Sequence, residues 1–300
     1  MEGAANEQGS NAPSVTVGMP VYNGEPYLEQ AITSLLAQTY PDFELIIADN
    51  ASTDRTSEIC RDFERRDARV RYHRNAVNLG AALNYNRLVE MARGRYFKWA
   101  AHDDVCEPTY LERCVAALDR DPSVVVCYPK TRIIDEQGKD KGLYEDNLHL
   151  TSSRRHERFR DVVFRDAGEC NAVFGLIRID VLKKTALIGN YPASDMILLS
   201  ELALHGHFHE LPDALFLRRD HPQTSIRAHV TTDERAAWFD PKKADKKQFT
   251  YWRWALEYHR AIRRAKPGTG NGVRCYQYLG RWIRWNRNPL ARELGRAFTH

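Results

Sequence analysis

Long apolar runs are missing from this chain: none reaches the roughly eighteen residues that a membrane-spanning helix needs, so no helix crossing a bilayer is expected. The first fourteen residues, MEGAANEQGSNAPS, lack the basic start and apolar middle of a secretion signal. A soluble chain of the cytoplasm is therefore expected. Cysteine is scarce, six in 300 residues (Cys60, Cys106, Cys114, Cys127, Cys170, Cys275), with no C-x-x-C pair and no Cys/His quartet at zinc-ligand spacing. That excludes a disulfide scaffold and a structural zinc site and leaves reduced thiols. Glycine-rich phosphate loops are absent as well: Gly18-Met19-Pro20-Val21-Tyr22-Asn23-Gly24 fits neither G-x-G-x-x-G nor G-x-x-x-x-G-K-[ST]. A dinucleotide dehydrogenase and a P-loop enzyme are thereby disfavoured. There is no internal repeat and no low-complexity block.

What is present is an alternation. SVTVGM (14–19) is β-branched and apolar, then come the breakers Pro20, Asn23-Gly24 and Pro26, then a helical pattern through Leu28, Ile32, Leu35 and Leu36. The order returns as FELIIAD (43–49) with a helix opening near Thr53, as Val70-Arg71-Tyr72 with a helix through Leu83, Leu88 and Met91, and as YFKWAA (96–101) with a helix after Pro108. SVVVCY (123–128) and ALFLRR (214–219) read as later strands, and a helix runs through Ile197, Leu198 and Leu202. The stretch 135–166 is polar and weakly periodic, which suggests a long loop or flap. Strands alternating with helices imply right-handed crossovers and a mostly parallel α/β sheet with helices on both faces. Ligands bind such sheets beyond the carboxyl ends of the strands, so the polar residues following each strand should converge.

The sharpest constellation is Asp103-Asp104 at one strand end with Asp49 at another. Adjacent carboxylates repel unless a cation or donor neutralises them, and a hard divalent ion completes its shell with phosphate oxygens and water. The alternative is an acidic helix N-terminus that complements the helix dipole. His205, His207 and His209 alternate in LHGHFHE and read as solvated rings on a helix-to-strand turn, because Gly206 breaks any fixed helical geometry.

VGMPVYNGEPYLEQAITSLLAQTY, FELIIADNASTDRT and NLGAALNYNRLVEMARGRYFKWAAHDD, in that order, resemble the nucleotide-sugar domain of family 2 glycosyltransferases, inverting enzymes of the GT-A fold. The resemblance covers roughly residues 14–225. It implies a Rossmann-like GT-A sheet in which Pro20, Tyr22 and Glu25 line the nucleotide pocket and Asp49 takes a hydrogen bond from the base. It further implies that Asp103 and Asp104 hold ribose and a diphosphate bound to Mg or Mn, and that Asn86 helps close the donor side. His221, in a breaker-rich loop, is implied at the diphosphate and in the metal set, with Arg218 and Arg219 stabilising the leaving group. The catalytic base is implied at an acidic residue opening a helix under the acceptor, which points to Asp195 in SDMILLSELALHG; the other reading makes Asp195 only a first-turn acid. Two departures stand out: Ala101 replaces the first acid of the D-x-D-D that many members carry, and Tyr85 stands where an Arg often precedes the family's Asn.

From Arg235 to the end there are sixteen Lys and Arg against four Asp and Glu, a balance of +12, which leaves the first 234 residues at −8. Five of the six tryptophans also lie there. The expected organisation is a disordered N-terminus (1–13), a catalytic domain (14–234, with a nucleotide-sugar half 14–128 and an acceptor half 129–234) and a basic, Trp-rich helical extension (235–300). Those helices suit an anionic membrane surface or packing on the catalytic domain, and nucleic-acid binding has no motif behind it. The functional expectation is a metal-dependent glycosyltransferase of the cytoplasm, peripheral on the inner membrane face. It would move a sugar from a UDP-, GDP- or dTDP-linked donor to a saccharide, glycolipid or small-molecule acceptor. A non-catalytic nucleotide-sugar or glycan-binding module on the same fold is the alternative, and a nucleotidyltransferase lacks the glycine-rich basic loop it would need.

Overall fold

The computed structural model describes residues 12–165, 170–228, 231–243 and 248–298; the expected disordered N-terminus lies almost wholly outside the described residues. The first half is β1 (Val15–Val21), α1 (Glu25–Leu36), β2 (Phe43–Asp49), α2 (Thr56–Arg66), β3 (Val70–Arg74), α3 (Ala81–Met91) and β4 (Tyr96–Trp99). Its four strands pair in parallel in the order β3-β2-β1-β4. β1 and β2 are buried along their whole length, as near-continuous apolar strands covered on both faces must be. Gly18 lets α3 close onto β1: a Cβ there would stand 2.8 Å from Phe97 Cζ and 2.9 Å from Leu88 Cβ. α2 begins three residues later than Thr53, because the backbone of Thr53 is bonded to Asn23 of the neighbouring loop.

The second half is β5 (Val105–Cys106), α4 (Tyr110–Arg120), β6 (Val124–Ile134), β7 (Asp140–Tyr144), α5 (Arg155–Val163), a 3-10 turn (Asn171–Phe174), β8 (Leu176–Arg178), α6 (Ile179–Leu182), α7 (Ser194–His205) and β9 (His207–Arg219). These strands extend the sheet as β4-β8-β6-β9-β5 with β7 also on β6. The parallel run stops at β4: β8 is antiparallel to β4 and β6, and β5 to β9, while β6 and β9 run parallel. Helices cover both faces as expected, α1 and α4 over one apolar cluster and α3 and α7 over the other.

Three local expectations change. The weakly periodic stretch after residue 135 holds β7 and α5; the periodicity is faint because the buried side of α5 includes a charge, Arg158, satisfied by the carbonyls of Ala203 and Ser152. β9 starts at His207, not at 214, with shifts of register near Pro129 and Lys130 that let it pass Pro212. The rings of His207 and His209 are therefore part-buried on a strand rather than solvated, His207 against Ser123 Oγ at 2.9 Å and His209 against the ring of His149 at 5.4 Å.

The chain continues with α8 (Ser225–Ala228), α9 (Thr232–Phe239), a 3-10 turn (Pro241–Lys243), α10 (Thr250–Ala265), α11 (Thr269–Trp285) and α12 (Arg287–Phe298). The inner faces of α10 and α11 complete a third apolar cluster, in which Tyr258, Ile262, Leu279 and Trp282 meet Phe159, Ile197 and Leu204. Glu201 of α7, fully buried, accepts both hydrogen bonds of the Arg264 guanidinium at 2.8 Å. Among the described residues no helix is long and apolar enough to cross a membrane. Replacing Arg264 by Leu strands a buried carboxylate, so Arg264→Leu should cost about 3 kcal/mol in urea unfolding. Adding Glu201→Gln should recover part of that loss if the pair itself is the cause.

Candidate active site

The loops after β1 and β2 are knitted into one rim. Asn23 and Ala51 adopt left-handed backbone, φ 52° and 65°, a conformation that Asn tolerates and that costs a residue such as Ala about 1–3 kcal/mol. Asn23 donates its N–H to Ser52 Oγ (2.9 Å) and accepts the N–H of Thr53 (2.8 Å). The Glu25 N–H donates to Asp54, and the Glu25 carboxylate accepts the N–H of Arg55, so Glu25 is tied into the rim. Pro20 is buried in β1, whereas Tyr22, just past its end, is 46% exposed. Asp49, at the end of β2, is fully buried and accepts from the Ser52 N–H (2.8 Å), the Tyr72 hydroxyl (2.7 Å) and Arg74 (3.0 Å). Burial, then the hydrogen bond to Asp49, pushes the Tyr72 phenol up to about 12.

The acidic pair follows β4 and closes on that rim through Gly24, where a Cβ would stand 2.8 Å from a ring carbon of His102. Asp103 Oδ2 lies 2.9 Å from His221 Nε2, and the His221 ring packs 4.7 Å from Tyr27. Asp104 Oδ1 accepts the backbone N–H of Arg219 at 2.8 Å. Burial works against ionisation of Asp103, but the charge of His102 and the hydrogen bond to His221 outweigh it and hold that carboxyl low. Asp104 is pushed up to about 7 by burial and by the charge of Asp103. The hydrogen bond to Asp103 raises His221 against the opposing effect of burial. Two neighbouring carboxyls are thus driven apart, the usual outcome when like charges share a buried site.

Arg219 does not serve the diphosphate as expected. It is almost fully buried, and its guanidinium donates to the carbonyls of Asp103, Asp135 and Glu136 and to Gln30 Oε1, all within 2.6–3.1 Å. Its work is to hold the acidic loop.

Asp195 opens α7 behind Ala193, a third left-handed residue at φ 57°. Desolvation raises its pKa above the ordinary value, only partly offset by the N–H groups of Met196 and Asp195 itself and by the charge of Arg165. Tyr85 is near all three acids: after burial, the charges of Asp103, Asp104 and Asp195 all raise its phenol. Asn86 is used locally, exchanging hydrogen bonds of 2.9 and 3.0 Å with the Ile188 backbone and so fixing the segment that leads to Asp195. From the other side Trp254 of α10 donates to the Pro192 carbonyl at 2.7 Å.

The site therefore draws in Gly24, Tyr27, Gln30, Tyr72, Arg74 and Trp254, which the linear motifs did not mark. Only Gly24, between two turn-forming residues, carries a local signal. Among the described residues no group of three or more His, Cys, Asp or Glu side chains stands ready for a metal. Asp103 and His221 do supply a carboxylate oxygen and an imidazole nitrogen in contact, a donor set that suits Mg or Mn if substrate and water complete the shell.

The sequence profile of glycosyl transferase family 2 matches residues 16–185. A glycosyltransferase of Haemophilus influenzae is 27% identical over 254 residues, 81% of this chain and 75% of that protein. One from Rickettsia typhi is 34% identical over 139 residues, 46% of this chain, and the match spans only 42% of the Rickettsia protein's length. In structure the chain is similar to S. aureus TarS 1-349 in complex with UDP-GlcNAc (TM-score 0.64, 16% identity, 90% of this chain and 71% of that one). It is also similar to the mannosyltransferase PcManGT of Pyrobaculum calidifontis in complex with GDP-Man and Mn2+ (TM-score 0.56, 15% identity, 95% and 87%). The profile covers more than half the chain and falls on the strand ends that carry Asp49, Asp103 and Asp104, and with the GT-A fold in agreement this chain belongs to glycosyl transferase family 2.

Proposed function

We propose that this chain is an inverting glycosyltransferase that moves a sugar from a nucleoside-diphosphate sugar to an acceptor hydroxyl. The observation that carries the reading is Asp195: a half-buried carboxylate that opens α7 and shares the neighbourhood of Tyr85 with the Asp103/Asp104 pair. An ionised carboxylate so placed takes the acceptor proton as the acceptor oxygen bonds to C1 of the sugar. The bond from C1 to the diphosphate oxygen breaks on the opposite side, and a single displacement inverts that carbon. Of the donor contacts, Asp49 has three protein partners and is fully buried, so a base N–H reaches its remaining acceptor position only when the part-buried Tyr72 side chain or the Arg74 side chain over it yields. Pro20, Tyr22 and Glu25 form the rim of the nucleotide pocket, and Asn86 holds the donor side to the base segment.

Asp103, Asp104 and His221 are the residues that would hold Mg or Mn, and such an ion supplies positive charge to the departing diphosphate. The neighbours in complex with UDP-GlcNAc and with GDP-Man and Mn2+ support a UDP- or GDP-linked donor, with dTDP the remaining candidate. The acceptor is a saccharide, glycolipid or small molecule in cell-envelope synthesis, met at the cytoplasmic face of the membrane. In this reading residues 14–128 form the donor half, 129–234 the acceptor half and 235–300 the buttressing extension. The binding-module alternative rests on Ala101 alone and retains no explanation for Asp195.

Calorimetric titration of UDP, GDP and dTDP with and without Mn should find one nucleotide whose binding needs the metal and is lost in Asp103→Ala. Asp195→Asn should keep that binding and lower transfer by roughly 10²–10⁴-fold; normal turnover in this variant would sink the base assignment. In the parent enzyme activity should rise with pH through an apparent pKa above that of an ordinary Asp, since the ionised form is the active one.

Asp104 makes a separate prediction. With its carboxyl near 7 in the folded chain and about 4 when unfolded, the unfolded state gains from losing this proton as pH rises between those values. Stability from this group falls over that window and is level above it. Asp104→Asn keeps the acceptor for the Arg219 N–H without the titration, so its melting temperature relative to the parent should climb from pH 5 to pH 8.

A further inference from the structure

Helices α10 and α11 run antiparallel, with His259 opposite Tyr276 at a ring separation of 5.7 Å. That register sets Leu256 near Gly280 and Trp252 near Ile283, because both helices rise by the same amount per residue. Their inner faces are spent on the third apolar cluster. Their outer faces nevertheless carry apolar side chains: Trp252, Leu256, Tyr276 and Ile283 are 38–42% exposed and Val273 is 54% exposed. These residues form one ledge along the outside of the pair, against the pattern of a helix that needs only one buried stripe.

The charge around the ledge has one sign. Residues 248–298 contain ten Arg and one Lys against two acids, Glu257 and Glu293, both of them buried. Arg253 and Arg260 serve Glu257, and Arg264 serves Glu201. Arg263, Arg274, Arg281, Arg284 and Arg287 are exposed and have no carboxylate partner among the described residues. Arg263 follows Leu256 by two turns on the same side of α10 and Arg284 follows Val273 by three turns on the same side of α11, so both stand beside the ledge, whereas Arg281 and Trp285 pack against Phe164 on the other flank of α11.

We propose that this outer face of α10 and α11 docks on an anionic lipid bilayer, the ledge entering the headgroup region and the arginines meeting lipid phosphates. Aromatic and aliphatic side chains beside unpaired cations match both layers of such an interface. A nucleic acid would use the arginines but leave Leu256, Val273 and Ile283 against water. This docking stands apart from the sugar-transfer reading, since it uses the face of α10 turned away from Pro192.

The test is co-sedimentation of the full chain with phosphatidylcholine vesicles made with and without phosphatidylglycerol. Binding should require phosphatidylglycerol and weaken with salt. Arg263→Ser with Arg284→Ser should weaken it by about thirtyfold, as two charges at an anionic surface predict. Leu256→Ser with Ile283→Ser should weaken it while the protein keeps its melting curve and its nucleotide binding. A parent protein that stays in the supernatant at low salt overturns the proposal, as does an arginine variant that binds unchanged. Self-association in the ultracentrifuge that Leu256→Ser with Ile283→Ser abolishes, without vesicle binding, would assign the face to a second copy instead. Retention on RNA without retention on vesicles would overturn it in the same way.

Discussion

One buried guanidinium gathers the strand ends into a site. Arg219, the last residue of β9, donates its backbone N–H to Asp104 and its side chain to the carbonyls of Asp103, Asp135 and Glu136 and to Gln30 of α1, with Tyr27 beneath it at 4.7 Å. It therefore ties the acidic loop, the β6–β7 turn and the first helix to the strand that also delivers His221. A buried cation is tolerated only when its donors are all met, and here carbonyl dipoles do so without using either carboxylate. Asp103 and Asp104 are left with separate environments.

Those environments give three acids three characters. Asp103 is held ionised by imidazoles, Asp104 is driven towards its neutral form by burial and by its neighbour, and Asp195 is raised by burial that Arg165 and two backbone N–H groups only partly offset. In the proposed reaction this division separates holding the donor from taking the acceptor's proton.

The basic extension has two faces with different work. Its inner face buttresses the base segment through Trp254 and Pro192 and locks to α7 through Arg264 and Glu201. Its outer face keeps apolar side chains and unpaired arginines in solvent. The sequence marked the composition of these helices but left packing and membrane binding as alternatives, and both faces exist because a helix long enough to pack on one side still has another.

The alternation of strands and helices was legible, because a buried parallel strand is a continuous apolar run and its crossover helix has a period of its own. So were Asp49, Asp103 and Asp104, which sit where strands end, and Asp195, which opens a helix. Less was legible where burial contradicts polarity. Lys98 in YFKWAA reads as a surface residue, yet it is fully buried and donates to the carbonyls of Trp99 and Phe174. Arg158 likewise blurred the periodicity of α5, and Arg219 looked like a ligand for phosphate. The sequence by itself determined the strands and helices of the first half, where apolar runs and helical periods alternate, and which acids stand at their ends, because those follow from neighbours in the chain. Only the tertiary structure decided which charge is buried, which acid keeps its proton and which face of α10 meets Pro192, because each depends on groups a hundred residues or more away in sequence or on the packing of separate elements.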